Sequence, residues 1–232
     1  MKGKNSNAGY SNSACHSRLR GNDSLCQHPL YLIADPEHTT HLSFADMVDQ
    51  AIQGGVRLVQ LRNKRDPIAD VITQARLLKT LLQDKGIPLI INDYIEVALA
   101  VDAAGVHIGQ QDESCLLVRE RLGADKIIGL TVENLAQGRD AQHLPIDYLG
   151  AGPVFPTTSK PDAPLAWGLP QLTELVKLSA LPVVAIGGIH QGNIVSVWQS
   201  RVAGVAVISA ICSAEDPRLA ATGLGLSDIH KF

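Results

Sequence analysis

No apolar run in this chain approaches the ~18 residues that a membrane-spanning helix needs. That argues against an integral membrane protein of the helical kind. Positive charge is not in excess either: Lys and Arg number 20 against 23 Asp and Glu, a formal net charge of −3. No global basic field therefore calls for nucleic acid or an anionic membrane as partner, and any bound anion must be held by a few local groups. Cysteine is scarce and its spacing suggests no pairing. Cys15, Cys26, Cys115 and Cys212 lie far apart, with no C-x-x-C pair and no matching histidines. This excludes the usual zinc and disulfide patterns and suits a reducing cytosol, where the protein is expected to reside. None of the four sits among the polar motifs below, so none is expected to act as a nucleophile.

What is present is an ordinary globular composition, 45% hydrophobic and 19% charged. The first 28 residues stand apart. Lys2–His28 is rich in Asn, Ser, Gly and Arg with only scattered apolar residues, so it is expected to be a flexible tail. It lacks the apolar centre and small-residue cleavage site of a signal peptide. Residues 29–232 are expected to form one catalytic domain.

From Leu30 onward, short β-type runs alternate with helix-type patterns. The runs are Leu30–Ala34, Leu58–Arg62, Pro88–Ile91, Gly105–Ile108, Ile127–Leu130, Tyr148–Gly152, Pro182–Ile186 and Gly204–Ile208. They are apolar with little polar alternation, as parallel strands covered on both faces require. Among the intervening helices the clearest places Ile68, Val71, Ile72, Ala75, Leu78 and Leu82 on one face. Others are predicted near Phe44–Ile52, Ile95–Ala100, Ser114–Leu122, Leu135–His143, Leu169–Leu178, Asn193–Gln199 and Pro217–Leu224. Gly54-Gly55, Gly86, Gly123 and Gly204 are read as the returns from helix to strand. Eight βα units fit an α/β fold, a single (β/α)₈ TIM barrel, better than a doubly wound sheet. No G-x-G-x-x-G follows the first strand to favour nucleotide binding.

Polar groups cluster just after the strands, where barrel enzymes build their sites. Gln60, Arg62 and Lys64 alternate, so a continuing strand turns all three toward the barrel mouth. Two cations and an amide there suit a phosphate or diphosphate. Asn92, Asp93 and Asp112 follow the third and fourth runs. Taken singly they are candidate helix caps. Taken together, the two carboxylates suit Mg²⁺, because oxygen donors without His or Cys disfavour zinc. His107 is read as a packed core histidine. After the sixth run comes Thr157-Thr158-Ser159-Lys160, an oxyanion cradle of hydroxyls, backbone N–H groups and a cation. Gly187-Gly188 and Ile208-Ser209 follow the seventh and eighth, a frequent phosphate position in barrels. Two anion sites imply two phosphorylated substrates.

These motifs, in this order, resemble the thiamine-phosphate synthases. The likeness rests on Gln60–Lys64, Ile90–Asp93, Gly105–Asp112, Asp147–Ala163, Val183–Ile189 and Gly204–Ala210. It implies a Mg²⁺-dependent transferase of thiamine biosynthesis. Such an enzyme joins 4-amino-5-hydroxymethyl-2-methylpyrimidine diphosphate to 4-methyl-5-(2-hydroxyethyl)thiazole phosphate and releases pyrophosphate. By that resemblance Gln60, Arg62, Lys64, Asn92, Thr131 and Lys160 hold the pyrimidine diphosphate, with Arg62, Lys64 and Lys160 catalytic. Asp93 and Asp112 bind Mg²⁺, and Thr157, Thr158, Ser159, Gly188, Ile208 and Ser209 line the thiazole phosphate site. The chain departs from the family at Tyr94, where Arg is frequent, and at Glu133, where His is frequent. Thr131 stands where many members have Ser and keeps the hydroxyl. The alternatives are a thiazole tautomerase-like barrel and a non-catalytic thiamine phosphate-binding sensor. Both are disfavoured by the intact diphosphate and carboxylate set. A homo-oligomer is compatible with a barrel of this size.

Overall fold

Eight parallel strands close into a barrel in the computed structural model, which describes residues 29–160 and 163–225. The expected tail at residues 1–28 lies outside the described residues. The strands are β1 (Leu30–Ala34), β2 (Val56–Leu61), β3 (Leu89–Asn92), β4 (Gly105–Ile108), β5 (Ile127–Val132), β6 (Tyr148–Ala151), β7 (Val183–Ile186) and β8 (Gly204–Val207). Each pairs with the next, and β8 returns to β1. Helices cover the outside in the order α1 (Phe44–Gln53), α2 (Ile68–Gln83), α3 (Ile95–Ala100), α4 (Cys115–Leu122), α5 (Leu135–Asp140), α6 (Gly168–Leu178) and α7 (Ile194–Gln199). A short α8 (Ser209–Cys212) and a final α9 (Pro217–Thr222) follow β8. The (β/α)₈ expectation holds, with element ends moved by up to three residues and α8 unforeseen.

The strands are apolar on both faces because each face has its own core. Tyr31, Ile33, Leu58, Ile90, Ile127, Tyr148, Val184 and Ala206 point inward and fill the barrel. Alternate residues, among them Leu32, Val59, Ile91, Val106, Ile128 and Val205, point outward into the layer beneath the helices. On α2 the buried residues are Val71, Ala75, Leu78 and Leu82, with Ile68 and Ile72 at the margin, as the periodicity requires. Opposite the mouth, Arg119 donates to the Asp147 carboxylate at 2.7 Å and to the Pro145 and Lys126 carbonyls. Asp147 also accepts the Ile128 N–H at 2.8 Å, so α4, β5 and β6 are tied together at the end away from the site.

Gly55, Gly86 and Gly123 adopt φ of 113°, 63° and 84°, the left-handed turn from helix to strand that other residues resist. Gly204 does a different job. It opens β8 without positive φ, and a Cβ there would come within 3.2 Å of the Pro29 carbonyl oxygen. Inside the barrel, Gly129 lies between His107 and Tyr148 in register. A Cβ at Gly129 would enter the Tyr148 ring and the His107 imidazole. One at Gly150 would stand 2.9 Å from the His107 Cε1. The two glycines therefore make the slot that admits the Tyr148 and His107 side chains. Gly129→Ala is expected to destabilise the protein by about 1–3 kcal/mol through overpacking, seen as a lower urea midpoint at unchanged slope. An unchanged midpoint would mean the slot has room to spare.

Candidate active site

The ends of the strands and the loops after them enclose one cavity of about 1210 Å³. That exceeds the roughly 300–1,000 Å³ of a typical small-molecule pocket, so it has room for two bound molecules. Every residue singled out from the sequence lines it: Gln60, Arg62, Lys64, Asn92, Asp93, Asp112, Thr131, Thr157, Thr158, Ser159, Lys160, Gly188, Ile208 and Ser209. The departure Glu133 lines it too.

On one side, β2 ends at Leu61, yet the Arg62 N–H still donates to the Ala34 carbonyl at 3.0 Å. The ladder thus carries the alternation one step on, and Gln60 and Arg62 both reach the cavity. Arg62 pairs with Asp35, whose carboxylate is 3% exposed against 14% for the guanidinium. Asp35 also accepts the Glu37 N–H at 2.9 Å. The loop carrying Lys64 is fixed by buried Asn63. Its amide donates to Asp66 at 2.7 Å and Gln74 at 2.9 Å, while its oxygen accepts the Arg65 and Asp66 N–H groups.

After β3, Asp93 takes a left-handed backbone, φ 59°, and its N–H donates to the His107 carbonyl at 2.9 Å. Its carboxylate pairs with Lys64 and faces Asp112. Burial, with the Asp112 carboxylate acting the same way, raises the Asp93 pKa above the usual carboxylate range despite Lys64. The Asp112 Oδ2 accepts the Gly109 N–H at 2.7 Å. Two facing carboxylates repel each other, and the donors are oxygen only. That combination fits a hard divalent cation better than zinc.

Across the cavity, the β6 loop lies against the β7 loop. Phe155 N–H donates to Gly187 O at 3.0 Å, and Val154 N–H to Ile186 O at 2.9 Å. Gly187 and Gly188 have φ of 98° and 63°, and a Cβ on either would strike Pro153 or the Phe155–Pro156 backbone. Close backbone approach thus requires these glycines, beyond any need of a ligand to reach them. The Ser159 and Ser209 hydroxyls meet at 3.0 Å, joining the β6 and β8 loops. His38, after β1, contacts the Ser159 carbonyl through Nε2 at 3.2 Å.

His107 is packed within the barrel, as expected, but it also lines the cavity. Burial above all, then the Lys160 charge, lowers its pKa to about 4 against an opposing pull from Asp112, so it is neutral at physiological pH. Cys115 and Cys212 are buried, and burial raises both thiols, Cys212 to about 12, which fits the bystander reading. Cys15 and Cys26 lie outside the described residues. Sequence reasoning missed Asp35, Tyr31 and Tyr148. The available signal for Asp35 was its place directly after β1, as Arg62 directly follows β2 and Asp93 directly follows β3.

A parallel (β/α)₈ barrel whose mouth gathers cations, facing carboxylates and hydroxyls belongs to the class of barrels whose strand-end loops are equipped to hold phosphorylated ligands. The family model for thiamine monophosphate synthase matches residues 30–211, and the chain belongs to that family. It is 43% identical over 191 residues to a thiamine-phosphate synthase of Vibrio campbellii, covering 82% of this chain and 93% of that one. With the thiamine-phosphate synthase of Desulfitobacterium hafniense strain Y51 it shares 46% identity over 195 residues, 84% of this chain and 94% of the relative. The thiamine phosphate pyrophosphorylase structure from Pyrococcus furiosus superimposes with a TM-score of 0.79 at 36% identity, covering 86% of this chain and 95% of that one. No helix among the described residues is long and apolar enough to cross a membrane.

Proposed function

We propose that this chain is a thiamine-phosphate synthase: it joins 4-amino-5-hydroxymethyl-2-methylpyrimidine diphosphate to 4-methyl-5-(2-hydroxyethyl)thiazole phosphate, giving thiamine phosphate and pyrophosphate. The observation that carries this reading is that the two groups of residues suited to anions and the facing carboxylate pair line one cavity. Its size suits a reaction between two phosphorylated partners.

In this reading Gln60, Asn92 and Thr131 orient the pyrimidine diphosphate. Arg62, Lys64 and Lys160 hold its oxygens. The methylene–oxygen bond breaks with both electrons leaving on diphosphate, and the three cations stabilise that growing charge. The thiazole nitrogen lone pair then bonds to the pyrimidine-stabilised cation left behind. No proton is removed in forming the new bond, so this step calls on no general base. Thr157, Thr158, Ser159, Gly188, Ile208 and Ser209 seat the thiazole phosphate and aim its nitrogen. Asp93 and Asp112 would hold Mg²⁺, which when bound supplies positive charge to the diphosphate oxygens.

The decisive test is pyrophosphate release by purified protein given both substrates, with Mg²⁺ or with EDTA. Release that needs both substrates and the metal is the expected outcome. Protein that binds thiazole phosphate yet releases nothing would overturn the synthase reading in favour of a barrel that does not join its ligands. Ser209→Ala is expected to raise KM for thiazole phosphate about two- to tenfold with little change in kcat, since one neutral hydrogen bond contributes roughly 0.5–1.5 kcal/mol. A kcat effect alone would place Ser209 at the reacting atoms instead.

A further inference from the structure

One unbroken chain of side-chain hydrogen bonds crosses the barrel interior. The Gln60 amide on β2 donates to the Tyr31 hydroxyl on β1 at 2.7 Å. Tyr31 meets the Tyr148 hydroxyl of β6 at 3.1 Å, with the rings edge to face. Tyr148 reaches the His107 Nδ1 on β4 at 2.9 Å, and the His107 Nε2 reaches the Thr131 Oγ1 on β5 at 2.8 Å. Both ends of the chain line the cavity.

Each hydroxyl has only one proton, so the direction of the first bond sets all the others. Tyr31 accepts from Gln60 and, among the described residues, has only the Tyr148 hydroxyl to donate to. Tyr148 must then donate to His107 Nδ1. A neutral imidazole that accepts at Nδ1 carries its proton on Nε2 and donates it to Thr131. The hydroxyl proton of Thr131 is left for the cavity. At the other end, one of the two Gln60 amide N–H groups is given inward, which fixes the orientation of the amide and leaves its carbonyl oxygen for a ligand. The glycines at positions 129 and 150 keep the slot open for the two middle members, so the chain is built into the barrel rather than incidental to it.

We infer that His107 is a positioning residue: held as its Nε2–H tautomer by the Tyr31–Tyr148 pair, it fixes Thr131 as a donor while Gln60 stands as an acceptor. The relay makes the two cavity walls opposite in polarity. The Thr131 wall suits an acceptor-only oxygen of a diphosphate, and the Gln60 wall suits an N–H of the heterocycle. The inference rests on the assignment of Gln60 and Thr131 to the pyrimidine substrate, but the tautomer itself does not.

Two measurements test it. The first is imidazole ¹⁵N NMR of the full-length protein without ligand, with His107 assigned by the loss of its signals in His107→Asn. A protonated Nε2 and an unprotonated Nδ1 are expected; the reverse tautomer overturns the relay. The second is steady-state kinetics of Tyr148→Phe, which cuts the chain at its centre and leaves both ends in place. KM for the pyrimidine diphosphate should rise about three- to tenfold, the value of one hydrogen bond, while KM for thiazole phosphate stays unchanged. A purely structural role would move both or neither, and that result also overturns the relay. If Tyr148→Phe does not fold, the wild-type tautomer decides. If the wild-type protein releases no pyrophosphate from both substrates, the proposed function fails, and the tautomer still decides the relay.

Discussion

Arg62→Ala is expected to lower pyrophosphate release by about 10²–10³-fold, the usual effect of removing one preorganised group that meets charge developing in the transition state. It should also weaken the fold, because Asp35 is 3% exposed and would lose its only described cationic partner. Removing one member of a buried pair costs roughly 3–5 kcal/mol, most of it the burden of the stranded charge. Arg62→Ala combined with Asp35→Asn separates the two effects. The double variant should recover most of the stability and none of the activity, as read by thermal melting and by pyrophosphate release. Arg62→Lys keeps the charge but loses the planar fork, so partial stability with low turnover is expected. Near wild-type turnover in Arg62→Ala would remove Arg62 from the diphosphate site.

Asp93→Asn should reduce turnover by a comparable factor and shift the Mg²⁺ dependence to higher concentration, since loss of one of two carboxylates weakens a hard-cation site. Asn is the informative substitution because it tolerates the left-handed backbone at φ 59°, where Ala would add strain of its own. Stability should move the other way. The Asp93 pKa is raised in the folded protein, mainly by burial and also by Asp112. Its ionised form is therefore favoured less in the fold than in the unfolded chain, and this penalty grows as pH rises through the ordinary carboxylate range. Neutral Asn removes that penalty, so the variant melted in EDTA at neutral pH should be no less stable than wild type. Turnover and Mg²⁺ response both unchanged would remove the metal assignment.

Much of the site was legible because it obeys local rules. Gln60, Arg62 and Lys64 announce themselves by alternation, and Thr157–Lys160 by hydroxyls beside a cation after an apolar run. Residues with strong local alternatives were not legible. Asp35 has the ordinary reading of a cap, and it does cap the short 3₁₀ turn Pro36–His38. Its role as Arg62's partner depends on β1 lying beside β2, with the two residues 27 positions apart. Tyr31 and Tyr148 sit in apolar strands and read as core. Gly204 reads as a helix-to-strand return because composition cannot separate a glycine needed for φ from one needed for space.

The order and kind of the elements, the (β/α)₈ class and the strand ends where polar groups gather are all legible along the linear chain. Those follow from hydrophobic period and turn residues, which are properties of neighbours along the chain. Which polar groups meet across the lumen follows from the closed barrel alone. Tyr31 and Tyr148 are 117 residues apart and belong to strands that are not neighbours in the sheet. Their contact exists because the sheet closes on itself and turns both inward at similar depth. Barrel closure, a property of all eight strands together, links Gln60 to Thr131.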